Sequence, residues 1–213
     1  MKYRNIIFDF GNVLATFDAE YIMKKFWAEE EDLPFLMDTM SSIRLDLDEG
    51  TLDYHETMQK VLSEIPAKYH DAMEKFFLYW YREMPPILDN WKLARELKAA
   101  GYGVYLLSNA DMKFAEECLY YDVLKLFDGI IISAVVKCNK PKAPIYHALF
   151  DTYHLDPKDC FFIDDREENI EAGRALGMEG IVFTGDVKAV RDAIDFPECE
   201  QIQIIGSLDE VLQ

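Results

Sequence analysis

Positive charge is scarce in this chain. Across 213 residues, 22 lysines and arginines stand against 40 aspartates and glutamates, giving a formal net charge of −18. No block of basic residues offsets that excess. This argues against a nucleic-acid partner, because a phosphate backbone demands a basic surface. Solubility is the plain reading of the acid excess, and any anionic substrate would need a local positive site. Long apolar runs are also missing: none approaches the roughly 18 residues of a membrane span. The amino terminus enters a strand directly, without the long apolar segment and small-residue cleavage site of a signal peptide. The cysteines, Cys118, Cys138, Cys160 and Cys199, include no C-x-x-C pair. They make neither a zinc pattern nor a disulfide framework, and reduced thiols in a cytoplasmic protein are the expectation. The histidines, His55, His70, His147 and His154, show no metal spacing. There is no internal repeat, no low-complexity segment and no signature of oligomeric state.

What is present is a globular composition, half hydrophobic and rich in aromatics, long enough for a real core. The pattern along it has two regimes. Between about Asp18 and Met84, apolar and charged residues alternate at helical spacing, which predicts four or five helices and no strand. Thr51 is a candidate cap for one of them, with Leu52, Thr57, Met58, Val61, Leu62 and Ile65 supporting its apolar face. Met23, Met37, Met40, Met58 and Met73 fall in this segment, suited to its core or to a pocket over a substrate. After Met84-Pro85-Pro86 the pattern becomes alternating helix and strand. Strands are predicted at about 4–8, 103–107, 129–132, 160–163 and 180–183, with helices at about 90–100, 112–120, 144–153 and 167–176. Strands separated by helices imply a parallel sheet covered on both faces. The fold class is therefore α/β, a doubly wound, mainly parallel sheet with an inserted α-helical domain. Residues 1–17 and 85–213 form the core, and residues 18–84 the insertion.

The chemistry-bearing residues sit at strand ends. The first strand, Asn5-Ile-Ile-Phe, stops at a lone acid, Asp9; the second stops at Ser108-Asn109; the fourth at Asp164-Asp165; and Asn139-Lys140-Pro141 precedes a helix. Taken singly, each has an ordinary structural explanation as a turn residue or helix cap. In a doubly wound sheet, however, the carboxyl ends of the strands gather at one edge, where ligands bind. A carboxylate, a hydroxyl, a lysine and an acid pair would then converge.

In this order the motifs resemble the haloacid dehalogenase superfamily, in the branch with a helical cap after the first motif. The resemblance rests on Phe8-Asp-Phe-Gly-Asn-Val-Leu14, Leu106-Leu-Ser-Asn109, Lys140-Pro141 and Phe162-Ile-Asp-Asp165 with Glu168-Asn-Ile-Glu-Ala-Gly173 and Leu176-Gly177, and it covers nearly the whole chain. It implies that Asp9 is a nucleophile forming an aspartyl phosphate. It implies Mg²⁺ held by Asp9, the Gly11 carbonyl, Asp164 and Asp165. Ser108 and the backbone near Asn109 would bind the transferring oxygens, and Lys140 would neutralise charge on Asp9 and the phosphoryl group. The expected substrate is a small phosphorylated metabolite, a sugar phosphate by likeness to the branch that includes bacterial α-glucose-1-phosphatase.

One position departs from the family. Most phosphatases of the superfamily carry a second aspartate two residues after the nucleophile, as general acid and base; here that position is Gly11. Its absence leaves three readings: a cap acid such as Asp46, Asp48 or Glu49, or a metal-bound water, serves in its place; turnover is slow; or hydrolysis is lost. Two alternatives stay open: a 2-haloacid dehalogenase, which needs no metal and which Asp164-Asp165 argues against, and a catalytically weakened protein that binds a phosphorylated ligand. Asp9-Phe10-Gly11 also spells the kinase metal motif, but lacks the upstream loops. Gly101-Tyr-Gly103 fails the dinucleotide fingerprint because it precedes a strand.

Overall fold

A computed structural model describes residues 2–197. Cys199 lies outside the described residues. The sheet has five parallel strands: β1 (Asn5–Phe8), β2 (Gly103–Ser108), β3 (Gly129–Ile132), β4 (Cys160–Asp164) and β5 (Glu179–Val182), in the order β3-β2-β1-β4-β5. The α-helices are α1 (Ala19–Met23), α2 (Leu33–Glu49), α3 (Tyr54–Glu64), α4 (His70–Tyr79), α5 (Leu88–Ala99), α6 (Met112–Glu117), α7 (Ser133–Val136), α8 (Ala143–Tyr153), α9 (Glu167–Ala175) and α10 (Val187–Ile194). The first four lie between β1 and β2, with short 3-10 turns and no strand among them. The five expected strands are all present, most with an end shifted by one residue.

The period-2 alternation of strand side chains sorts the core. Ile6 and Phe8 of β1, Val104 and Leu106 of β2, and Phe161 and Ile163 of β4 enter one buried cluster. Ile7, Leu107, Cys160 and Phe162 enter a second on the opposite face. Both faces are thus covered, and the central strands can be apolar at every position. A third cluster draws only on residues 23–77, including Met23, Leu36, Met58, Val61, Met73 and Phe77. Helix α3 shows why these helices form: Tyr54, Thr57, Met58 and Val61 are buried at helical spacing, with polar residues between.

Helix α3 starts later than the Thr51 cap predicts. Asp53 is its N-cap and accepts a hydrogen bond from the Glu56 N–H at 2.8 Å, whereas the Thr51 hydroxyl donates back to the Asp46 carbonyl. Asp53 stands three residues before a glutamate, the spacing that favours a helix start; Thr51 does not.

β1 is central, and the chain returns across it from β3 to β4. The reversal of strand order therefore falls beside β1, at the edge where Asp9 leaves the sheet. The loop after Asp9 is held from beneath by α5. Asn90 Nδ2 donates to the Val13 carbonyl at 2.6 Å, and Trp91 Nε1 to that of Leu14 at 2.8 Å. Phe10 packs edge-on against Tyr121 and at a tilt against Phe114.

Candidate active site

The strand ends meet in a cavity of about 300 Å³ whose lining includes Asp9, Gly11, Ser108, Asn109, Lys140 and Asp165. Asp164, at the end of β4, is fully buried behind it. The strand-end positions singled out in the sequence, Asp9, Ser108, Asn109, Asp164 and Asp165, and with them Gly11 and Lys140, are thus in the cavity wall or directly behind it.

Lys140 ties the strands together. Its ammonium lies 2.9 Å from Asp9 Oδ1 and 2.7 Å from Asp164 Oδ2, and donates to the Leu107 carbonyl at 2.8 Å. Three acceptors match its three protons. The backbone that carries it is fixed by Asn109, which accepts from the Lys140 N–H at 2.8 Å and donates to the Lys140 carbonyl at 3.0 Å. Asn109 is therefore a brace for the lysine as well as a lining residue. The Lys140–Pro141 peptide is cis, and α8 begins two residues after the proline, at Ala143.

Electrostatics follow from one cation between two buried acids. Burial pushes the Asp9 carboxyl up to about 7, and the neighbouring Asp164 adds to that, while Lys140 and the Phe10 N–H pull the other way. Burial alone would lower the Lys140 ammonium, but Asp9 and Asp164 outweigh it and the net direction is upward. Lys140 thus stays positively charged between its two acids.

Carboxylate oxygens of Asp9, Asp164 and Asp165 lie within 4.8 Å of one another. Three carboxylates facing one ammonium leave negative charge uncompensated in a buried setting, which a hard divalent cation would neutralise. The donor set, all oxygen, fits Mg²⁺ in kind. Asp164 is already engaged by Lys140, by Asn169 Nδ2 at 2.9 Å and by the Arg166 N–H at 2.9 Å. Asp165 is the more open acid, with Asn12 Nδ2 at 2.9 Å from its Oδ2.

Asn12 and Asn169 are contacts that reading the sequence did not assign. Asn12 has a left-handed backbone, φ 56°, and its side-chain oxygen accepts from the Phe17 N–H at 3.0 Å. Asn tolerates that conformation better than other side chains with a Cβ. Both stand inside quoted motifs, so position was available as a signal, though role was not. Ser108 is buried at the end of β2, and among the described residues no partner hydrogen-bonds its hydroxyl.

Of the candidate cap acids, only Asp48 reaches the cavity. Its side chain is 13% exposed and lies 3.5 Å from Arg44. Burial raises its carboxyl to about 6, against the pull of Arg44. Glu49 instead pairs with Lys142 at 2.5 Å, and Asp46 is exposed.

Comparison with known proteins bears on the family and the fold. A sesquiterpene phosphatase of Aspergillus oryzae is 35% identical over 95 residues, 43% of this chain and 47% of that protein. The chain thus spans about half the length of that relative. A D-ribitol-5-phosphate phosphatase of Bacteroides thetaiotaomicron is 27% identical over 187 residues, covering 83% of this chain and 89% of its own. Among solved structures, a HAD family enzyme from Bacteroides thetaiotaomicron, in complex with magnesium and inorganic phosphate, superposes with a TM-score of 0.71 at 22% identity, over 88% of this chain and 98% of that one. That likeness shows the shared fold. The profile of the haloacid dehalogenase-like hydrolases matches residues 3–177. The chain, with its acid-ended parallel strands and buried lysine, belongs to that hydrolase family.

Proposed function

We propose that the protein is a Mg²⁺-dependent phosphatase of small phosphorylated metabolites, working through an aspartyl phosphate on Asp9. The observation that carries this reading is the meeting of Asp9, Lys140, Ser108 and Asp165 in one cavity at the switch point of the sheet. Sugar phosphates belong to the class, and the likeness to the Bacteroides D-ribitol-5-phosphate phosphatase, which matches over most of both chains, supports keeping them in it.

In the proposed reaction an Asp9 carboxylate oxygen attacks phosphorus, and the bond from phosphorus to the alcohol oxygen breaks. Lys140 offsets the charge brought together, and it is positioned before the substrate arrives, so little reorganisation is needed. The Ser108 hydroxyl and the backbone at Asn109 donate to the transferring oxygens. The departing alcohol takes a proton from Asp48. Water then attacks the phosphoryl group, gives a proton back to Asp48, and frees phosphate and Asp9. An acid titrating near 6 suits both halves of that exchange at neutral pH. Asp9, the Gly11 carbonyl, Asp164 and Asp165 would hold Mg²⁺, which when bound supplies positive charge to the anionic ester.

Residues 18–84 act in this proposal as a cap domain over a core of residues 1–17 and 85–213. Their separate buried cluster supports that division. The carboxylate triad favours phosphoryl transfer over dehalogenation. A cytoplasmic location with reduced thiols is part of the same proposal; Cys118, Cys138 and Cys160 are free and buried, and among the described residues no helix is long and apolar enough to cross a membrane.

The test is phosphate release from a panel of phosphorylated metabolites, with Mg²⁺ and with chelator, by the unmodified protein and by Asp9→Asn. Turnover should need Mg²⁺ and vanish in the variant, since an amide of nearly the same shape is a poor nucleophile. Substantial release by Asp9→Asn, or full activity in chelator, would overturn the mechanism.

A further inference from the structure

A second cavity, of about 220 Å³, lies within the helical segment. It shares Phe17, Arg44, Asp48 and Trp80 with the catalytic cavity. A ligand with its phosphoryl group at Asp9 therefore meets this space next along its length. The remaining wall is mostly hydrocarbon and thioether: Ile22, Met23, Met37, Met40, Leu47 and Phe76. Of the six methionines in residues 18–84, three line the cavity: Met23, Met37 and Met40. Met58 and Met73 are buried in the cluster behind it.

Most polar groups of the second cavity already have partners; the exception is the buried Trp80 Nε1, which has none among the described residues. The Tyr54 hydroxyl donates to the Phe77 carbonyl at 2.7 Å, and the Ser41 hydroxyl to that of Asp38 at 3.0 Å. Asp111 caps α6 by accepting from the Phe114 N–H at 2.9 Å. Asp48 pairs with Arg44, whose guanidinium lies 4.3 Å from the centre of the Phe17 ring. A sugar entering here would bury several hydroxyls against sulfur and carbon with the Trp80 N–H as the one buried donor left open to them, which is costly for every hydroxyl beyond the first. A hydrocarbon would bury nothing polar, and methionine side chains adapt to its shape.

We propose that the preferred substrates are phosphate monoesters of apolar alcohols, with the hydrocarbon part of the leaving group seated in this methionine-lined cavity. The proposal rests on the phosphatase reading above and narrows its substrate class. At about 30 Å³ per water-sized group, the volume suits a chain of roughly six to eight carbons.

Straight-chain alkyl phosphates from ethyl to decyl share one leaving-group chemistry, so their rates compare tail binding alone. In Mg²⁺, kcat/KM should climb by about fourfold per methylene while the chain is being buried, level off near octyl, and exceed the value for ribitol-5-phosphate. Met40→Trp should flatten that climb by filling the space. So should Ser41→Trp, made from an exposed helix position and hence safer for folding. Acetyl phosphate, which has no tail, reports the basal reaction and should be largely unaffected in both variants. Octylphosphonate should likewise bind the unmodified protein more tightly than ethylphosphonate by calorimetry, and lose that advantage in both variants.

The two readings fail differently. Mg²⁺-dependent hydrolysis of acetyl phosphate with a flat chain-length profile, or with ribitol-5-phosphate as the better ester, overturns the apolar cavity and leaves the phosphatase standing. A climb that survives both tryptophans places the tail elsewhere and also overturns it. No hydrolysis of any ester overturns the phosphatase, and the substrate proposal with it.

Discussion

In the proposed mechanism Gly11 and Asp48 bear on one task, moving the proton that the leaving alcohol and the attacking water require. Asp48 is placed to do it, in the cavity wall and titrating near 6. Position 11 could take a second acid. A Cβ built there meets only the Phe17 Cβ, at 3.7 Å, an ordinary contact, and the backbone is not in the left-handed region. The glycine is therefore not required by the local fold. Asp48→Asn should lower kcat/KM for alkyl esters by about 10² to 10⁴, the usual worth of general acid–base help, and phospho-Asp9 should accumulate in rapid-quench experiments because its hydrolysis lacks a base. Gly11→Asp added to that variant should recover part of the loss. Undiminished kcat/KM in Asp48→Asn would remove Asp48 from the mechanism. The sequence alone named three cap acids as equals. What separates them is contact across some 90 residues, since Glu49 is claimed by Lys142, and no local pattern encodes that.

Helix α2 delivers Asp48 to the cavity, and its carboxyl end is moored to the sheet domain. Ser133 Oγ donates to the Asp48 carbonyl at 2.5 Å, Asn139 Nδ2 to that of Leu45 at 3.3 Å, and Lys142 pairs with Glu49. Gly50 ends the helix with φ 69°, and a Cβ there would lie 2.2 Å from the Ala134 carbonyl oxygen of α7. Gly50→Ala thus carries both a backbone cost and a clash. Gly101, with φ 87° and nothing within 4 Å of its Cβ position, carries the first only. In urea unfolding, Gly101→Ala should cost about 1 kcal/mol for the left-handed conformation and Gly50→Ala clearly more. Only Gly50→Ala should also lower kcat/KM, since it disturbs the seat of Asp48. Equal losses in both would show that the approach of α2 to α7 is looser than described. The strands were legible at this scale because β1, β2 and β4 are apolar on both faces and end in polar residues. The start of α3 was misread because two cap residues, Thr51 and Asp53, stand close together. The docking of α2 was not legible at all: its partners Ser133, Asn139 and Lys142 belong to another part of the chain, and their side chains look like ordinary surface residues until the fold brings them near.

Over the whole molecule, acid excess and buried acids act on stability in one direction. Asp111 is held up to about 7, mainly by burial and further by Asp48, while the Phe114 N–H opposes. Asp48 is held near 6. In the unfolded chain both would lose their protons near the ordinary aspartate value of about 3.9. Between about pH 4 and pH 7 the folded state therefore binds more protons than the unfolded state, so stability falls as pH rises through that window. Repulsion within a chain of net charge −18 adds to the fall. Asp32, Glu117 and Asp122 are lowered by hydrogen bonds, from Tyr69 and Lys68, from Lys113 and from Lys125 respectively; their contribution fades only below about pH 4 and does not reverse the trend above it. Unfolding free energy in chelator should thus be larger at pH 5 than at pH 8. Asp111→Asn keeps an oxygen that can accept from the Phe114 N–H and removes the titration. It should shrink the difference between the two pH values by roughly 2 to 3 kcal/mol, at about 1.36 kcal/mol per pH unit between pH 5 and the folded value. An unchanged difference in that variant would mean that Asp111 is ionised in the folded protein at pH 5. Its burial beside Trp80, Tyr54 and Asp48 would then have to be compensated by a charge that the fold brings near it.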